Sequence, residues 1–169
     1  HTRDVVLADI RDVDALTEIF EDRSPDVVFH AAALKHLPML EQYPDEAWKT
    51  NVIGTLNVLR AAQSIEVETF VNISTDKAAN PTSVLGHSKR VAEKLTAWTA
   101  GSAQRRYVSV RFGNVIGSRG SVVTTSGWPQ GHRWPIAAMP RGVRPSCRSI
   151  AASSAGSTLT SSAGPARPG

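Results

Sequence analysis

Short apolar runs alternate with stretches whose apolar residues recur at helical spacing, from the first residues to about Val123. The run Val5-Val6-Leu7-Ala8 ends at Asp9, and Val13, Leu16, Ile19 and Phe20 then fall on one helical face, which predicts a strand followed by a helix. Pro25-Asp26 punctuates, and Val27-Val28-Phe29-His30-Ala31 reads as a second, buried strand. Ala47, Trp48, Val52, Leu56, Leu59 and Ala62 share one face of a long helix over residues 44–63, with Pro44 suited to its first turn. Residues 69–74 are predicted as a third strand, 83–99 as a third long helix and 107–112 as a fourth strand. Strands separated by helices of this length must run parallel, because only parallel neighbours need a long crossover. The predicted fold is a Rossmann-like, doubly wound α/β sheet.

The pattern stops near Thr124. Of the 45 residues from Thr125 to Gly169, 35 are Ser, Ala, Gly, Pro, Arg or Thr. Such a stretch buries too little apolar surface to offset its ordering entropy, so disorder is expected over 124–169. Runs such as Ala151-Ala152-Ser153-Ser154 look like GC-rich DNA translated out of frame, and a frameshift after about Val123 accounts for them. The front of the fold is expected to be incomplete as well. A pyrophosphate-binding turn after the first strand of such a fold is glycine-rich, yet no glycine precedes Gly54, which puts that turn upstream.

Charge divides earlier than the pattern, at Glu93, the last acidic residue. The net charge is +4, but residues 1–93 hold nine Lys or Arg against fifteen Asp or Glu, and residues 94–169 hold ten against none. The basic balance is therefore a property of the back of the chain. Its arginines lie among prolines and serines without interleaved aromatics, which argues against a nucleic-acid surface. A single cysteine, Cys147, excludes an internal disulfide and a cysteine-rich metal site, and no metal is expected. Mean hydropathy of −0.19 and the absence of a long apolar span or signal sequence make this segment soluble by expectation.

Ligands of parallel α/β sheets bind beyond the carboxyl ends of the strands. Those ends carry Asp9-Ile10-Arg11, Ala31-Ala32-Ala33 with Lys35 and His36, Ser74-Thr75-Asp76-Lys77, and Gly113-Asn114. His30, inside an apolar strand, reads as a core histidine with its hydrogen bonds satisfied. Asp9 has a competing reading as a helix N-cap, shared with Asp12. The three alanines also suit ordinary strand-to-helix packing, Lys35 a solvated surface, Asn51 a surface position, and Asp76–Lys77 a surface ion pair.

Taken in order, Asp9-Ile10, Ala31-Ala32-Ala33, Asn51-Val52-Ile53-Gly54-Thr55, Ser74-Thr75-Asp76-Lys77-Ala78-Ala79-Asn80-Pro81, Lys89 and Arg111-Phe112-Gly113-Asn114-Val115 resemble the extended short-chain dehydrogenase/reductase superfamily. Within it the chain is similar to the nucleotide-sugar 4,6-dehydratases of bacterial polysaccharide biosynthesis, the UDP-N-acetylglucosamine 4,6-dehydratase or CapD-like group. The similarity covers residues 4 to about 123, the middle of such a protein. It implies a partial NAD(P)-binding domain over residues 1–123 and a tail over 124–169 that is no native domain.

The resemblance further implies NADP or NAD as cofactor, contacted by Asp9 and Ile10 at the adenine and by Ala31, Ala32, Ala33 and Lys89. Lys35, Asn114 and Arg119 are implied in substrate binding, and Asn51 in shaping the helix and ordering water near the lysine. A UDP-sugar is the implied substrate. The implied reaction is an internal redox cycle: hydride leaves C4 of the hexose, water is eliminated across C5 and C6, and hydride returns to C6. Lys89 and Thr75 are assigned to the C4 hydroxyl and developing carbonyl, and Asp76 with Lys77 to the elimination. The superfamily's usual tyrosine, four residues before the lysine, is here Leu85, which cannot transfer a proton. A cytoplasmic bacterial protein is implied, a homo-oligomer when full length and membrane-tethered only through an upstream segment. An epimerase on the same scaffold and a non-catalytic remnant are the competing readings.

Overall fold

The computed structural model describes residues 5–113, 149–153 and 158–162. The strands predicted from the apolar runs form as β1 (Val5–Leu7), β2 (Val27–Ala31), β3 (Thr69–Thr75) and β4 (Arg106–Phe112). β2 pairs with β3 and β3 with β4 in parallel, as the long crossovers require. Two further strands, β5 (Ser149–Ser153) and β6 (Thr158–Ser162), complete a six-stranded sheet in the order β1-β6-β5-β2-β3-β4. Only β6 runs against the others.

β5 and β6 are the described elements of the stretch 124–169. Their backbone groups are satisfied by ladders to β2 and β1, which flank a space two strands wide. Strand pairing depends on a neighbour's free edge as well as on side-chain pattern, and a free edge is not visible in composition.

Helix α1 (Val13–Arg23) is capped by Asp12, whose side chain accepts from the Ala15 N–H at 3.1 Å. Asp9 is therefore not the N-cap. A short helix that the periodicity did not predict, α2 (Leu37–Gln42), follows β2. The expected single helix over 44–63 is helical throughout but not uniform. α3 (Pro44–Ala47) passes into a π-helical stretch, Trp48–Gly54, and then into α4 (Thr55–Ser64). The wider turn rotates Trp48 off the predicted apolar face, leaving it 54% exposed while Ala47, Val52, Leu59 and Ala62 are buried. α5 (Val84–Ala103) is capped by Ser83, whose hydroxyl oxygen accepts from the Gly86 N–H at 3.1 Å.

Leu16 and Phe20 of α1, Val28 of β2, Val58 and Leu59 of α4 and Phe70 of β3 are fully buried in one cluster. Burying each such side chain contributes about 1.5–3 kcal/mol. This core lies on one face of the sheet, between the strands and the layer of α1, α4 and α5. On the other face Phe29, Val108, Val110 and Phe112 are exposed among the described residues. A doubly wound sheet places helices on both faces, and the described residues supply one of those layers.

Candidate active site

Because β1 to β4 run parallel, their carboxyl ends, and the residues that follow them, come to one rim. The residues predicted from strand ends are thus brought to the same side of the molecule. Asn114 and Arg119 lie outside the described residues.

At the end of β1, Asp9 accepts from Arg11 three ways: from its backbone N–H at 2.9 Å, from Nε at 3.0 Å and from Nη2 at 2.7 Å. The Arg11 guanidinium holds the Asp9 carboxyl below the usual carboxylate range. Ile10 is buried, and its carbonyl accepts from Asn57 Nδ2 at 3.2 Å. Gly54 packs against it so closely that a Cβ there would stand 2.5 Å from Ile10 Cδ1. Helix and β1 end are thereby fixed together, a link that single motifs do not reveal.

After β2, Ala32 and Ala33 are buried and Ala31 is half-buried, while Lys35 is exposed. Asn51, predicted to shape this region, is 1% exposed, which removes its surface reading. Its Oδ1 accepts from the Leu34 N–H at 2.7 Å, and its Nδ2 donates to the Leu34 carbonyl and to Ser88 Oγ, both at 3.0 Å. Ser88, adjacent to Lys89, was not singled out by sequence reasoning. Its only signal was its place in the turn before the lysine.

His30 is fully buried as expected, but only half-satisfied. Nε2 lies 2.8 Å from Thr55 Oγ1, and Nδ1 has no partner among the described residues. Burial, with Lys89 adding repulsion, pushes its pKa down to about 3, so the ring is neutral at ordinary pH.

Lys89 lies on α5 beneath the end of β3. It is 7% exposed, and Nζ donates to the Ile73 carbonyl at 2.9 Å. Burial lowers its pKa to about 8, against the opposing charge of Glu93. A lysine so placed exchanges a proton far more readily near neutrality than an exposed one. Immediately after Ile73 and Ser74, Thr75 Oγ1 donates to Asp76 Oδ1 at 2.9 Å, and Lys77 Nζ approaches the same oxygen at 3.3 Å. These two bonds, Thr75 first, hold the Asp76 carboxyl below the usual range. The turn, at the rim, is exposed at Asp76 and half-buried at Lys77, and its backbone is pressed onto α5. A Cβ at Gly86 would stand 2.7 Å from the Lys77 carbonyl oxygen.

Leu85, at the position of the superfamily's tyrosine, is buried with Leu40 and Ala47 in a small apolar cluster. No hydroxyl stands there. His87 is exposed and lines a cavity of about 350 Å³ with Trp48, Val84 and Val91, away from Ile73. Among the described residues no cluster of side chains could hold a metal ion, and no helix is long and apolar enough to cross a membrane.

Parallel strands ending in a small-residue turn, a buried lysine and a Thr-Asp-Lys turn define a Rossmann-type protein of the short-chain dehydrogenase/reductase class. The chain belongs to the polysaccharide biosynthesis protein family, whose model matches residues 1–126. It is 49% identical over 117 residues to a probable polysaccharide biosynthesis protein, EpsC, of Bacillus subtilis, covering 69% of this chain and 20% of that one. It is 42% identical over 120 residues to a UDP-N-acetylglucosamine 4,6-dehydratase (inverting) of Campylobacter jejuni, covering 69% and 35%. A UDP-glucose 4-epimerase of Rickettsia bellii matches at the same identity and coverage. The chain thus spans about a fifth to a third of the length of these relatives.

Among solved structures, Pen from Bacillus thuringiensis superposes with a TM-score of 0.65 at 41% identity, over 70% of this chain and 37% of that one. UDP-glucose 4-epimerase from Brucella ovis in complex with NAD superposes with a TM-score of 0.62 at 27% identity, over 64% and 38%.

Proposed function

We propose that this chain is the central part of a nucleotide-sugar 4,6-dehydratase that acts on a UDP-N-acetylhexosamine in polysaccharide biosynthesis. The observation that carries the reading is the Thr75-Asp76-Lys77 turn on the same strand end as Ile73, whose carbonyl holds the buried Lys89, with an aliphatic Leu85 where a tyrosine would serve a simple dehydrogenase. The 42% identity to a UDP-N-acetylglucosamine 4,6-dehydratase supports it.

The residues present fit a nicotinamide dinucleotide. Ala31, Ala32 and Ala33 put no side chain beyond Cβ at the end of β2, and the polar ends of Asp9 and Lys89 lie at or under the same rim. Asp9 and Ile10 would contact the adenine, and the alanines with Lys89 the nicotinamide half. When bound, NAD or NADP supplies a reversible hydride acceptor that is not consumed.

The chain's own groups do the proton work. Lys89, near its midpoint at mildly alkaline pH, takes the proton of the C4 hydroxyl, and Thr75 donates to the developing carbonyl oxygen. Asp76 and Lys77 supply one acceptor and one donor for loss of the C5 proton and departure of the C6 hydroxyl. Asn51 holds Leu34 and Ser88 and so shapes the floor beside the lysine. Lys35, Asn114 and Arg119 are assigned to binding the diphosphate and hexose. The full-length protein is a cytoplasmic homo-oligomer, and residues 1–123 belong to its dinucleotide domain.

Incubating the full-length protein with UDP-N-acetylglucosamine and NAD(P) is expected to yield a 4-keto-6-deoxy product. The equal similarity to a UDP-glucose 4-epimerase gives the rival reading. A 4-epimer with no keto sugar would establish that rival and overturn the dehydratase. The 169-residue chain alone is expected to show no turnover.

A further inference from the structure

Glu93 takes no part in the proposed chemistry, yet its carboxylate meets three different residues, Ser74, Arg90 and Arg111. It lies one helical turn beyond Lys89 on α5, with its side chain 11% exposed. Oε1 accepts from Ser74 Oγ at 2.7 Å and from Arg111 Nε at 2.8 Å, and Oε2 accepts from Arg111 Nη2 at 2.7 Å. Arg90 adds a longer ion pair at 3.5 Å. Ser74 and Arg111 are themselves direct partners across the β3–β4 ladder. The carboxylate therefore joins three elements: the end of β3, the end of β4 and the middle of α5.

Consecutive residues of β3 are gripped by consecutive turns of the helix. Lys89 holds the Ile73 carbonyl, Glu93 holds the Ser74 hydroxyl, and the next three residues are Thr75, Asp76 and Lys77. We propose that Glu93 is a positioning residue, which clamps Ser74 and Arg111 to α5 and thereby sets where the Thr75–Lys77 turn stands relative to Lys89. The assignment rests on the reading of that turn and Lys89 as the reacting groups.

An exposed Arg–Glu pair alone would mean little. Here the hydroxyl partner is 5% exposed and the guanidinium engages two carboxylate oxygens, so geometry is specified as well as charge. An amide could not replace the carboxylate, because its NH2 would face the Arg111 donors. The negative charge also favours the ammonium form of Lys89, against the burial that disfavours it, and His30 from β2 is neutral and adds no charge there.

The full chain, its Glu93→Gln and Glu93→Asp variants, and Ser74→Ala test this by amide hydrogen exchange resolved along the chain and by 15N titration of Lys89 Nζ. Loss of a charge-assisted clamp is expected to speed exchange at Thr75, Asp76 and Lys77 by about tenfold or more in E93Q, with α1 and β2 unchanged. E93Q is also expected to move the Lys89 titration to lower pH, and E93D, which keeps the charge, to restore most of it. Ser74→Ala is expected to loosen the same turn while leaving the Lys89 titration in place, and it decides the matter alone if E93Q does not fold. Unchanged exchange at the turn, or a uniform rise across the chain, would overturn the proposal. No readout needs substrate, so the result stands apart from the dehydratase test, which is judged on the 4-keto product.

Discussion

Asn51 and Leu34 exchange a closed pair of hydrogen bonds: the Leu34 N–H donates to Asn51 Oδ1 at 2.7 Å, and Asn51 Nδ2 donates back to the Leu34 carbonyl at 3.0 Å. A helix side chain thus completes the backbone of the chain leaving β2, where no strand could. Asn51→Ala leaves both main-chain groups of Leu34 without a partner and frees Ser88 Oγ from its link to the helix. A loss of about 2–4 kcal/mol is expected, read as a lower urea midpoint at constant slope.

His30 makes folding sensitive to mild acid. Its pKa in the folded chain, about 3, lies below the ordinary 6.5, so between those values the unfolded chain binds more protons and stability falls as pH drops. Carboxylates titrate mainly below about pH 5, which isolates the histidine between about 5 and 6.5. In that window stability is expected to fall towards a slope of about 1.4 kcal/mol per pH unit, and His30→Gln to flatten it. Urea titrations at half-unit pH steps check both.

Lys89 gives an alkaline limb of the same sign. With its pKa lowered to about 8 from 10.5, the unfolded chain holds the proton longer, so stability is expected to rise as pH climbs from 8 towards 10.5. Lys89→Met is expected to abolish that rise without loss of stability near neutrality. In the full-length protein the same variant is expected to form 4-keto product at least about a hundredfold more slowly. Retained turnover would remove the lysine from the chemistry.

Two glycines of α5 are expected to respond to alanine with opposite signs. Gly101 has open space about its Cβ position, so Gly101→Ala is expected to stabilise by about 0.5–1 kcal/mol through helix propensity. At Gly86 the new Cβ meets the Lys77 carbonyl at 2.7 Å, and backbone cannot swing aside as a side chain can. Gly86→Ala is expected to cost about 1–3 kcal/mol and to shift the Lys77 amide resonance, which thermal unfolding and NMR would show.

Leu85→Tyr asks whether a tyrosine restores ordinary superfamily chemistry. The site is a filled apolar cluster with Leu40 and Ala47, so the larger ring is expected to destabilise by about 1–3 kcal/mol. No gain in product formation is expected from the full-length variant. A gain would return the acid/base role to this position.

The sequence by itself determined the four parallel strands, the helices between them and the rim that gathers Asp9, Ala31, Thr75 and Asp76. Apolar runs and helical periodicity report burial directly, and strand ends report the rim once the strands are known to be parallel. It did not disclose α2, whose six residues are too few for periodicity, nor the π-helical stretch that turns Trp48 outward, which depends on how the helix packs. The strands at 149–153 and 158–162 depended on free edges flanking a space between β1 and β2. Most of the site's internal bonding was likewise hidden. Asn51 with Leu34, Asn57 with Ile10, and Glu93 with Ser74 and Arg111 join residues 17 to 47 positions apart. Tertiary structure alone decides such partnerships, because a polar side chain takes whichever donor or acceptor the fold leaves unpaired beside it.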